Sequence, residues 1–114
     1  MSPTEPMGDE LPQVHEAVLD EDRIDDLFRD VAHAGQLLEV VLKGGAESRA
    51  GDPDPGAQLT AARAALRERR VFGVQLRYLH GGTEWWDTLI AVPGGARLVR
   101  IDRGKLIASQ TESA

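Results

Sequence analysis

The side chains with most chemical potential in this chain gather in one stretch, Val71 to Asp102, which reads VFGVQLRYLHGGTEWWDTLIAVPGGARLVRID. Both tryptophans, Trp85 and Trp86, and the one tyrosine, Tyr78, lie there with His80, Arg77, Glu84, Asp87, Arg100 and Asp102. An arginine opposite a tryptophan in a sheet can stack on the indole, and that pairing serves binding rather than catalysis. Glu84 and Asp87 are residue types used as general acid and base, but three positions apart in a strand they point to opposite faces. His15, His33 and His80 lack the spacing of metal ligands. Ser48, Ser109 and Ser113 have no nucleophile-elbow context. There is no cysteine, which excludes a disulfide framework, a thiolate nucleophile and Cys-based zinc or iron–sulfur sites. We therefore expect no catalytic residue, no metal site and no cofactor.

Two further clusters invite a ligand reading and fail it on spacing. The acids Asp20, Glu21, Asp22, Asp25, Asp26 and Asp30 lack the alternation and central glycine turn of an EF-hand loop, so a solvated helix face explains them. Lys43-Gly44-Gly45 lacks the Gly-x4-Gly-Lys-Ser/Thr pattern that cradles phosphate. Net charge is −6 overall, but residues 1–59 sum to −10 and residues 60–114 to +4. The acids can belong to a tail and a helix start, or the acidic half can lie against the basic half. Overall acidity disfavours nonspecific duplex DNA binding. No signal-peptide pattern opens the chain and no apolar run nears the roughly 20 residues of a membrane span, so a cytoplasmic protein with no membrane contact is expected.

The elements that must position these side chains follow from periodicity and punctuation. Residues 1–13, with three prolines and several acids, read as a disordered acidic tail. Ile24, Leu27, Phe28 and Val31 recur at helical spacing; Asp20 is suited to cap that helix and Gly35 to end it, while Val14 and Val18 can add an earlier turn. Gln36–Lys43 is a short Leu/Val-rich strand. A loop leads to a second helix capped by Asp54, with Pro55 in its first turn and Leu59, Ala62, Ala65 and Leu66 on its apolar stripe; Arg63, Arg67, Arg69 and Arg70 read as solvated. A strand, a helix and a strand in succession predict a parallel crossover from Leu38–Lys43 to Val71–Leu79. Two hairpins follow. The expected architecture is a single two-layer α+β domain over residues 14–104: a four-stranded mixed sheet, in the order α-β-α-β-β-β, with two helices on one face and a flexible tail over 105–114.

Turn chemistry sets the register. A two-residue Gly81-Gly82 turn places His80 opposite Thr83, Tyr78 opposite Trp85, Arg77 opposite Trp86 and Gln75 opposite Thr88. The core side then carries Phe72, Val74, Leu76, Tyr78, Trp85, Leu89 and Ala91, together with Asp87, an acid that needs a partner or the sheet rim. For the second hairpin, a three-residue Pro93-Gly94-Gly95 loop is preferred, since a two-residue turn would put Arg100 on the core side and burying an unpaired guanidinium is costly. Under that register the outer face carries Val71, Gln75, Arg77, Trp86, Thr88, Ile90, Val92, Leu98, Arg100 and Asp102. A slip of one residue would reverse the assignment.

Gln75, Arg77, Trp86, Thr88, Arg100 and Asp102 are accordingly the candidate partner-binding residues. Another protein is the expected partner, and homo-oligomers are compatible with the pattern. The alternatives are single-stranded nucleic acid or a small ligand on the same face, which the low aromatic content of 4% disfavours for nucleic acid. The run GVQLRYLHGGTEWWDTL followed by RLVRI resembles a pattern in small accessory proteins encoded with bacterial nickel–iron hydrogenase maturation genes. That resemblance implies a non-catalytic assembly or docking role beside a metalloenzyme, with no cofactor necessarily bound by this chain.

Overall fold

The computed structural model describes residues 13–44 and 54–104. The elements are β1 (Gln13–Asp20), α1 (Glu21–Ala34), β2 (Gln36–Lys43), α2 (Pro55–Arg67), β3 (Gly73–His80), β4 (Thr83–Val92) and β5 (Gly95–Asp102). They form one five-stranded sheet in the order β1-β5-β4-β3-β2, with every neighbouring pair antiparallel. Both helices pack on one face of it. The α+β class and the two helices agree with the sequence reading, while the sheet corrects it in two ways. The expected tails lie largely outside the described residues, as does most of the loop before α2.

The first correction is the fifth strand. Gln13–Asp20 alternates, with Val14, Glu16 and Val18 on one side and His15, Ala17 and Leu19 on the other, and Leu19 is buried. A spacing of four satisfies both a helical stripe and a strand face, so Val14 and Val18 alone could not discriminate them. The helix begins where expected: the Asp20 side chain accepts a hydrogen bond from the Arg23 amide at 2.9 Å, and Glu21 and Asp22 occupy the first turn. Gly95 accommodates the new strand, because a Cβ there would collide with the Leu19 carbonyl.

The second correction is direction. β2 runs antiparallel to β3, not parallel, with Lys43 paired to Gly73 and the Phe72 amide bonded to the Lys43 carbonyl at 3.0 Å. The connection through α2 leaves and rejoins the sheet at the same end, so no crossover is made. Asp54 caps α2 as expected, accepting from the Ala57 amide at 2.9 Å. After α2 the chain turns through Arg69 at φ 60°. Strand β3 then starts at Gly73, so Val71 is buried and Phe72 is 58% exposed, the reverse of their expected sides.

The core lies between the helices and the sheet. Ile24, Leu27, Phe28 and Val31 of α1 and Leu59, Ala62, Ala65 and Leu66 of α2 meet Val40, Leu42, Val74, Leu76, Tyr78, Leu89, Ala96 and Leu98. A bulge between Leu37 and Glu39 is what lets Leu37, Val40 and Leu42 share the inner side while Leu38 stays exposed. The two charge halves also meet: Arg63, itself buried, bonds Glu21 at 2.7 Å and Asp25 at 2.6 Å, and Arg67 reaches Asp25 at 3.0 Å. The solvated-face reading of Arg63 is thereby overturned.

Candidate functional site

The first hairpin has the expected register throughout, from His80 opposite Thr83 to Gln75 opposite Thr88. Gly81 and Gly82 both adopt positive φ, 63° and 79°, as a tight two-residue turn requires. The second hairpin does not match. Val92 pairs with Gly95 across a two-residue Pro93-Gly94 turn, so Leu89 faces Leu98, Asp87 faces Arg100 and Trp85 faces Asp102. The expected three-residue loop is wrong by one residue, and every β5 side chain changes face. Of the six candidate residues, Gln75, Arg77, Trp86 and Thr88 share the outer face, whereas Arg100 and Asp102 lie on the helix side.

On the outer face the four form a connected row. Gln75 Nε2 donates to Thr88 Oγ1 at 2.9 Å, and Arg77 donates to Gln75 Oε1 at 2.7 Å and to Glu39 Oε1 at 2.9 Å. The Arg77 guanidinium carbon lies 4.1 Å from the Trp86 ring centroid, and that of Arg103 lies 4.5 Å from it. Trp86 Nε1 donates to Glu84 Oε2 at 2.7 Å. Val14, Val18, Ile90, Val99 and Ile101 share this side, with an Arg97–Glu16 ion pair of 2.8 Å among them. No described helix covers it. Glu39 and Arg103 were missed in the sequence, and Glu84 was weighed only as a general acid or base, whereas it is the acceptor for the Trp86 indole. Arg103 was legible in principle, since the two-residue turn brings it into the row of Glu84.

On the helix side, the shifted register joins Asp87 and Arg100. Asp87 is fully buried, with no exposed area. It accepts from Arg100 Nε at 2.9 Å, from Arg100 Nη2 at 2.8 Å and from the Tyr78 hydroxyl at 2.8 Å. The bidentate bond to Asp87 holds Arg100 more firmly protonated than usual. Burial, and after it the Asp87 charge, pushes the Tyr78 phenol well above its ordinary value. A carboxylate so fully engaged is not a free base, and a phenol shifted upward is not an acid near neutrality. The cluster orients β3, β4 and β5 against one another.

Arg100 also borders two clefts. One, of about 170 Å³, is lined by Leu27, Asp30, Val31, Tyr78 and His80. The other, of about 360 Å³, lies beside β1 between His15, Ala17, Trp85 and Leu98. His80 Nδ1 lies 3.0 Å from the Ala34 carbonyl, and Asp102 accepts from the Gly104 amide at 2.6 Å where the strand ends. Among the described residues no three His, Asp or Glu side chains converge as metal ligands, and no helix is long and apolar enough to cross a membrane. A comparison of the chain with protein-family models, curated proteins and solved structures finds no match.

Proposed function

We propose that the chain is a small non-catalytic interaction or assembly module that docks another protein through the helix-free face of its sheet. The observation that carries this reading is Trp86 flanked by two guanidinium groups, those of Arg77 and Arg103, on a face without a described helix. Tryptophan and arginine are the residue types most enriched among interface anchors, and the surrounding Val14, Val18, Ile90, Val99 and Ile101 supply an apolar margin. Arg77 is paired with Glu39 and Arg97 with Glu16, so a partner can cover those two without stranding an ion. Arg103 over the indole, its buried Nε unpartnered among the described residues, calls instead for an acid or carbonyl from the partner. Glu16, Glu39 and Glu84 on the same face oppose a phosphate backbone, which weighs against single-stranded nucleic acid. The clefts beside Arg100 lie on the opposite side, which weighs against a small ligand on this face. The resemblance to hydrogenase accessory proteins supplies the partner class: a metalloenzyme undergoing assembly in the cytoplasm.

The test is affinity capture with the wild-type chain and with an Arg77→Ala, Trp86→Ala variant, followed by titration of the purified partner. The variant should lose at least about 2 kcal/mol of binding, as anchor residues do. It should stay folded, losing about 1–2 kcal/mol of stability with the two arginine–indole contacts. A partner bound within twofold of wild type by a folded variant refutes the docking face.

A further inference from the structure

The two edges of the sheet are not equivalent. β2 is interrupted by its bulge at Leu38 and ends on Lys43, two devices that keep an edge strand from pairing with another chain. β1 has neither. Its eight residues pair with β5 in unbroken register from Gln13 opposite Asp102 to Asp20 opposite Gly95, and they include no proline or lysine. Val14 and Val18, 54% and 74% exposed, stand on either side of Glu16 in its outer row.

That spacing is self-complementary. If an antiparallel strand of the same sequence lies beside β1 with Glu16 opposite Glu16, each copy's Val14 faces the other's Val18. An isologous interface needs this reciprocity. We propose that β1 is a self-association edge: two copies of the chain join β1 to β1 about a two-fold axis and extend the sheet to ten strands.

The charges at the centre are compatible with it. Each Glu16 is already bonded to Arg97 at 2.8 Å, so the two carboxylates meet flanked by two guanidinium groups and the four charges balance. On the helix side the same register puts His15 against Ala17, a large residue against a small one. The open cleft of about 360 Å³ beside Ala17, Trp85 and Leu98 gives the imidazole room. Centred on Glu16, the two strands overlap over residues 13–19, which at about 3.4 Å per residue is roughly 24 Å. Pairing two such edges covers on the order of 1,000 Å² in total, at the small end of specific interfaces, so a micromolar dimer is expected. This edge shares Val14 and Val18 with the apolar margin of the docking face, but it contains none of the Trp86 row and does not depend on it.

The full chain should show a concentration-dependent dimer by sedimentation between about 5 and about 500 µM. Val18→Lys, at a site exposed enough to leave folding intact, should weaken association about tenfold or more by removing both valine pairs. Arg77→Ala with Trp86→Ala should leave it unchanged, which separates this edge from the docking face. Because the chain has no cysteine, Glu16→Cys, made together with Arg97→Ser so that no guanidinium is stranded at the seam, reports on the symmetric contact alone. It should cross-link to a covalent dimer much faster than His33→Cys on the exposed helix end. A chain monomeric at the top of the range overturns the proposal. So does a dimer indifferent to Val18→Lys, or a Glu16→Cys variant that cross-links no faster than His33→Cys.

Discussion

Truncating Arg100 to alanine removes two hydrogen bonds, of 2.9 and 2.8 Å, from the carboxylate of Asp87. That carboxylate has no exposed area and keeps only the Tyr78 hydroxyl as donor. Breaking a buried ion pair from one side costs about 3–5 kcal/mol, mostly the penalty of the stranded charge. The Arg100 side chain is 33% exposed and the clefts beside it admit water after truncation, so the lower end, about 3 kcal/mol, is the better figure. With a urea m-value near 1.5 kcal/mol/M, the midpoint should fall by about 2 M. Asp87→Asn should cost a similar amount, because the amide nitrogen presents a donor to donors. The double variant Asp87→Leu, Arg100→Met removes both charges and should recover much of the loss, giving a coupling of about 2 kcal/mol or more. Unfolding can be followed by tryptophan fluorescence, since the Arg100 guanidinium carbon lies 5.9 Å from the Trp85 ring. The control is Arg97→Ala, whose ion pair is half exposed and should contribute at most about 1 kcal/mol. If Arg100→Ala costs no more than that control, or if the two sites are additive, Asp87 and Arg100 do not hold the sheet together.

Two pH responses follow from groups in the same fold. Tyr78 is the only tyrosine, so tyrosinate absorbance reports it alone. Its phenol is raised in the folded state by burial and by the Asp87 charge, whereas the unfolded chain ionises near pH 10, so stability should fall as pH rises above about 10. Tyr78→Phe should remove that slope, and a native chain that ionises at about pH 10 contradicts the buried geometry. At the acid end, the hydrogen bond from Arg63 holds the Asp25 carboxyl below its ordinary value, with burial partly opposing it. The unfolded chain then takes up a proton first as pH falls. Stability from this contact is present above about pH 4 and lost below it. Arg63→Met should flatten the acid limb of urea midpoints measured between about pH 5 and about pH 2.5; an unchanged limb excludes the contact as its source.

Local signals made much of this fold legible. The capping acids Asp20 and Asp54 start their helices, and Gly81-Gly82 set all the expected β3–β4 pairs. These succeed because a cap or a two-residue turn is decided within a few residues. Strand β1 was hidden because the four-residue spacing of Val14 and Val18 serves two periodicities, and because its partner β5 is some eighty residues away in sequence. The direction of β2 was hidden for a different reason. The sequence names a helix between two strands but not the end of the sheet to which that helix returns.

The register of the second hairpin was legible from two residues considered together. An arginine on the core side counts against a two-residue turn only while its partner is unknown, and Asp87 was a buried acid lacking one. Each burial is costly alone, and together they form the bidentate pair that the structure contains. Accepting the pair fixes Pro93-Gly94 as the turn, with Gly94 at φ 83°. The same one-residue change remakes the outer face. It withdraws Arg100 and Asp102 from the Trp86 row and brings Ile101 opposite Trp86, with Arg103 alongside the indole. The buried pair and the Arg103–Trp86 contact are therefore two consequences of one turn. An insertion that lengthens the Pro93-Gly94 turn by one residue would disturb both faces at once.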